Sequence, residues 1–242
     1  MRLKGTTLAS VALAVPFCVC LWGADNATED AATLDLLNRY QDAKRTQQDA
    51  LSGGKMEVNI DAKLTKLEKQ GKMHLQRYIS KLGHITYKML GFSGDNTVKK
   101  EVIARYLESD ADPKLAGTAA ITPANYKFKK KYVLEQDGHR TVIFHITPKK
   151  KAAGLFEGEL WLDAETGMPV RESGHLVKNP SVFVKKLQFV RTYEIRNGIA
   201  FPTRIESQID VRVVGRAEVN IEFGSFTKEA VDDDVAQALI IQ

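Results

Sequence analysis

Cysteine is nearly absent: the chain holds two, Cys18 and Cys20, both close to the N-terminus. If that segment leaves the protein no thiol remains, which excludes a disulfide framework and any cysteine metal site. Long apolar runs are equally lacking beyond residue 22. The one such run, residues 8–22, follows Arg2 and Lys4, contains Pro16 and turns polar at Asp25. That is the order of a secretory signal peptide, and the run falls short of the roughly 20 residues that span a bilayer. A signal peptide over residues 1–24 is expected, with export to the periplasm. Ala24 suits the cut, but Trp22 is bulkier than the small residue wanted two positions earlier, so cuts after Cys20 or Gly23 stay open. Phe17 and Val19 precede the two cysteines where a lipoprotein would carry a small residue, which disfavours a lipid anchor.

Charge of one sign is not in excess either. The formal net charge is +5, and Arg2 and Lys4 supply two of those units. So weak a bias gives no case for nucleic acid. Lysines do cluster at positions 127–131, 149–151 and 185–186. On exposed strand edges they block edge-to-edge aggregation, and the rival role is attraction to anionic head groups.

Catalytic signatures are missing as well. There is no glycine-rich phosphate loop and no nucleophile elbow, and the five histidines form no i, i+4 pair. Glu157, Glu159 and Asp163 share one strand face, but alternation with Phe156, Leu160 and Leu162 already explains them as a polar surface. No catalytic residue, metal site or cofactor is expected, and the protein is not read as an enzyme.

What is present is period-two alternation. Residues 31–51 carry a helical pattern, with Leu34, Leu37, Tyr40 and Leu51 near one stripe and Gly53 and Gly54 ending it. From Met56 onward apolar and polar residues alternate, as in Met56, Val58, Ile60, Ala62 and Leu64 against Glu57, Asn59, Asp61 and Lys63. A turn is expected at Gln70 and Gly71. Residues 98–107 fit a helix and a strand, with helix preferred, and residues 110–125 read as a surface connection or flap. Hairpin signals follow at Asp137-Gly138, at residues 163–167, at Asn197-Gly198 and at Gly215. Repeated hairpins with one apolar face describe a curved antiparallel sheet covered on one side, within a single domain over residues 25–242.

Two hairpins carry more than periodicity. Gly158-Glu-Leu-Trp-Leu-Asp-Ala-Glu-Thr-Gly-Met-Pro-Val-Arg171 and Tyr193-Glu-Ile-Arg-Asn-Gly-Ile-Ala-Phe-Pro-Thr-Arg-Ile205 resemble hairpins of the exported LolA, LolB and RseB group. The resemblance implies a mainly β (α+β) fold. In it a strongly curved antiparallel sheet forms an unclosed β-barrel, with an N-terminal helix and one or two short helices over the concave face. It also implies an apolar cavity that carries or senses lipid or lipoprotein acyl chains, with envelope membrane proteins as further partners. No lipid-contact residue of the group maps onto this chain. From alternation alone the candidate lining is Phe156, Leu160, Leu162, Phe183, Leu187, Phe189 and Tyr193. The rival is a structural or protein-binding module whose apolar face is filled by its own helices. Alternation shows that a face is buried and not what buries it.

Overall fold

The computed structural model describes residues 24–179, 184–212 and 215–228. Residues 1–23 of the expected signal peptide and the candidate Phe183 lie outside them. Helix α1 (Ala24–Leu51) leads into strands β1 (Gly54–Leu64), β2 (Lys69–Ile79) and β3 (Ile85–Gly94). A helical connection follows, made of α2 (Asn96–Val98), a π-helical segment (Lys99–Ala104), α3 (Arg105–Ala111) and α4 (Pro113–Thr118). Then come β4 (Tyr126–Gln136), β5 (His139–Pro148), β6 (Phe156–Asp163), β7 (Pro169–Leu176), β8 (Val184–Arg196), β9 (Ile199–Val211) and β10 (Gly215–Lys228).

All ten strands form one antiparallel sheet in the order β3-β2-β1-β10-β9-β8-β7-β6-β5-β4. β3 and β4 are its two edges, so the barrel is not closed. The hairpin residues behave as their chemistry requires. Asp137 and Gly138, and Asn197 and Gly198, all take positive φ, which matches the right-handed twist of the flanking strands. The turn expected at Gln70 and Gly71 comes earlier, at Thr65–Leu67 with Glu68 left-handed at φ 51°. Gly71 instead lies within β2 opposite Ala62, because the alternation of β1 runs on to Leu64 and leaves only the next few residues free to turn.

Strand β1 alternates buried and open along its whole length, and its buried residues define the inner face of the sheet. Two apolar clusters sit on that face. On β1, β2 and β10, Met56, Val58, Ile60, Leu75, Val219 and Ile221 pack beneath Val98, Val102 and Ile103 of the helical connection. The 98–107 stretch is thus helical, as preferred from its pattern. On β5 and β6, Phe144, Ile146, Phe156, Leu160 and Leu162 pack beneath Leu36, Leu37 and Tyr40 of α1. The stripe on α1 therefore runs through Leu36, and Leu34 points away at 61% exposure. With 3.6 residues per turn, Leu36 and Tyr40 stack one turn apart with Leu37 beside them, and Leu34 falls outside that stripe.

Residues 110–125 run from the last turn of α3 through α4 to β4 and connect the two halves of the sheet. Asp110 ends α3 in an ion pair with Arg77 of β2, and Asp112 caps α4 through the Lys114 N–H. Lys127, Lys129, Lys130 and Lys131 do lie on an edge strand, β4, whereas Lys185 and Lys186 lie on β8 inside the sheet. Both edges expose apolar side chains too: Met89 and Leu90 on β3, and Tyr132, Val133 and Leu134 on β4.

Candidate functional site

Six of the seven candidate lining residues are described, and the register puts them on the inner face. Leu160 stands opposite Phe144 and Glu172, Leu187 opposite Ile209, and Phe189 opposite Gly174 and Ser207. Tyr193 is buried further along β8, and the other five divide into two groups. Phe156, Leu160 and Leu162 are buried beneath α1, and the Phe156 ring also meets Tyr126 and Phe189 at centroid distances of 5.9 and 4.9 Å. These three are core residues. Leu187 and Phe189, by contrast, are only half-buried, as are Ile209 and Val211 beside them. α1 covers the inner face on one side of this strip and the helical connection covers it on the other. Over β8 and β9 the cover is incomplete among the described residues, which leaves a half-buried apolar strip, the floor of a trough between α1 and the helical connection.

Its charged end is the feature that reading the sequence missed. Arg191 shares the inner face of β8 with Leu187, Phe189 and Tyr193 and stands opposite Glu172 of β7. Its Nη1 donates to Glu172 Oε2 at 3.1 Å and to the Tyr193 hydroxyl at 3.5 Å. The Glu172 side chain is almost fully buried, while that of Arg191 keeps 37% of its accessibility. A guanidinium deep in the fold yet open to solvent stands on the wall of an opening. From α1, Lys44 reaches the same place: its Nζ lies 5.8 Å from the Tyr193 ring centroid and donates to Gln47 Oε1 at 2.7 Å. The Gln47 amide in turn donates to the Ala200 carbonyl, which ties α1 to β9. The clue in the sequence was a charge interrupting an apolar period-two series, Leu187, Phe189, Arg191, Tyr193.

A second polar group ties the helical connection to β2 and β3. Arg77 Nη2 donates to Asp110 Oδ2 at 3.1 Å, Arg77 Nε donates to the Tyr87 hydroxyl at 3.2 Å, and that hydroxyl donates to Asp110. Burial alone would raise the Asp110 carboxyl, but Arg77 and the Tyr87 hydrogen bond outweigh it and hold the group below its ordinary value. Arg191 acts on Asp110 in the same sense. Burial lowers the Lys44 ammonium and Arg191 adds to that, with Glu172 opposing. Burial, with Glu172 adding, raises the Tyr40 and Tyr193 phenols, which stay neutral donors at any physiological pH.

The outer face is polar and several of its titratable groups are paired. His145 Nε2 lies 3.5 Å from Glu157, Trp161 donates to Glu159 at 3.0 Å, and Asp163 accepts from Thr166 within the turn before β7. Two shallow depressions of about 590 and 560 Å³ lie on this side. Among the described residues no group of three or more His, Cys, Asp or Glu could hold a metal ion, and no helix is long and apolar enough to cross a membrane.

No family model matches the chain, and no curated protein does. Among solved structures it is similar to a LolA superfamily protein from Nitrosomonas europaea, at 9% identity over 84% of this chain and 96% of that one, with a TM-score of 0.46. An outer membrane lipoprotein-sorting protein domain from Vibrio parahaemolyticus gives 10% identity, the same coverages and 0.44. A DUF1329 family protein from Desulfovibrio piger gives 13% identity, coverages of 84% and 98%, and 0.42. The first of these proteins is of the group that the two hairpins resemble. At such identities and scores they carry no inference about function, which rests on the trough and its residues.

Proposed function

We propose that the protein is exported to the periplasm and there holds an acyl chain, as carrier or sensor, in the trough over β8 and β9. The observation that carries this reading is the incomplete cover of the inner face: Leu187, Phe189, Ile209 and Val211 are half-buried at the centre of a face that is sealed on both sides. An apolar strip left open between two packed cores invites an apolar guest, and each methylene buried there contributes about 0.8 kcal/mol. Envelope proteins that hand over or receive the chain are the partners this role requires. The rival reading, a structural or protein-binding module with a filled face, is favoured for the β4–β7 half, where α1 already occupies the space above Phe156, Leu160 and Leu162.

Titration with a fluorescent fatty acid separates the two. The wild type should bind it. Leu187→Glu should abolish binding with the circular dichroism spectrum unchanged, while Leu160→Ala, beneath α1, should lower stability and leave affinity alone. Failure of the wild type to bind any such probe would leave the filled module as the surviving account.

A further inference from the structure

The trough is apolar at one end and cationic at the other, and its charges do not cancel. Along the inner face of β8 stand Leu187, Phe189, Arg191 and Tyr193 in that order, and at about 3.3 Å per residue the first three span about 13 Å. Where Arg191 stands, Lys44 adds a second cation and Glu172 supplies one carboxylate, which Arg191 already engages at 3.1 Å. The Arg77 and Asp110 pair is balanced within itself. Among the described residues Lys44 has no carboxylate within ion-pair distance, and its contacts are the neutral Gln47 amide and the Tyr193 ring. We propose that Lys44 and Arg191 form an anion-binding end of the trough, which takes the carboxylate or phosphate head of a single-chain amphiphile whose tail lies along Phe189 and Leu187.

The chemistry fits each component. A half-buried ammonium beside a guanidinium is costly, and although Glu172 opposes the effect, burial still lowers the Lys44 ammonium. An anionic head adds a counter-charge and accepts charge-assisted hydrogen bonds from Lys44 Nζ and the free edge of Arg191. The Tyr193 hydroxyl, held neutral by burial, accepts from Arg191 Nη1 at 3.5 Å and is hydrogen-bonded to Glu172, so it fixes the place of both without contacting the head. Glu172 is nearly sealed from solvent, so it orients Arg191 without repelling the ligand at the surface.

This proposal rests on the acyl-chain reading and can be tested apart from it. Binding of decanoate, decyl phosphate, neutral decyl maltoside and inorganic phosphate would be measured by calorimetry for the wild type, Lys44→Gln and Lys44→Arg. The expected result is at least tenfold tighter binding of the two anionic amphiphiles than of the maltoside. Lys44→Gln should remove that advantage, Lys44→Arg should keep it, and maltoside affinity should be the same in all three. Equal affinity for anionic and neutral amphiphiles, or no effect of Lys44→Gln, would overturn the anion end and leave the acyl trough standing. Inorganic phosphate binding as tightly as decyl phosphate would overturn the amphiphile and assign the site to the free anion. If no amphiphile binds while inorganic phosphate binds and depends on Lys44, the acyl-chain reading fails and the anion end survives. If nothing binds, both fail.

Discussion

Replacing Asp110 with Ala would remove the carboxylate that holds α3 against β2 and β3. Arg77 would then keep only the Tyr87 hydroxyl as a partner, at 3.2 Å. Breaking a fully buried pair costs about 3–5 kcal/mol, because the surviving charge is stranded, whereas a surface pair is worth about 1 kcal/mol or less. The Arg77 and Asp110 side chains keep 12% and 25% of their accessibility, which places this pair nearer the buried limit. A loss of about 2–4 kcal/mol follows, to be read as a fall in urea midpoint at pH 7 with the slope unchanged. Arg77→Met in the same background should recover part of it, since no charge is then stranded. The dependence on pH has a defined sign. The folded Asp110 carboxyl lies below its ordinary value of about 3.9, so its contribution is fully present above that pH and is lost as pH falls through the lower folded value. The gap between wild type and Asp110→Ala should therefore be constant near neutrality and close in acid. A loss below about 1 kcal/mol at pH 7, or strict additivity of the two changes, would show that solvent screens the pair and that α3 is held by apolar contact alone.

Leu37→Ala, beneath which Phe144 and Leu160 pack, should cost about 2–5 kcal/mol in chemical denaturation, and a change within the surface range would mean that α1 is not part of the core. Gly167 has φ +73°, and a Cβ there would lie 2.7 Å from the Tyr40 backbone nitrogen, whereas Gly198 shares that φ with open space around it. Gly167→Ala should thus lower the thermal midpoint clearly more than Gly198→Ala, and equal shifts would show that α1 does not seat on the turn before β7.

The sheet was legible because β1 obeys the period of two from end to end and because Asn197-Gly198 and Asp137-Gly138 are turn chemistry with few alternatives. The register was legible only within hairpins. That β1 lies beside β10 depends on which apolar strips complement each other over the whole chain, and no local pattern encodes it. The same limit hid the trough. Phe156 and Phe189 read alike as alternating aromatics, and only the path of α1 makes one a core residue and leaves the other half open. Glu172 and Arg191 look like ordinary surface charges until the pairing of β7 with β8 sets them face to face on the inner side.

The strand order also governs how the chain must assemble. β1 to β3 form one meander and β4 to β10 another, each built from neighbours in sequence, and they join only where Gly54 to Leu64 lies along Ala217 to Lys228. That seam closes a loop of well over a hundred residues, so its entropy is paid late and in a single step. A chain threaded from its N-terminus into another compartment would present β1 long before β10 arrives. Until then β1 is a bare edge whose apolar side is half covered, the very kind of strand that pairs with the wrong neighbour. Strand β10 acts as a clasp, and without it the two meanders of the described residues would be unjoined.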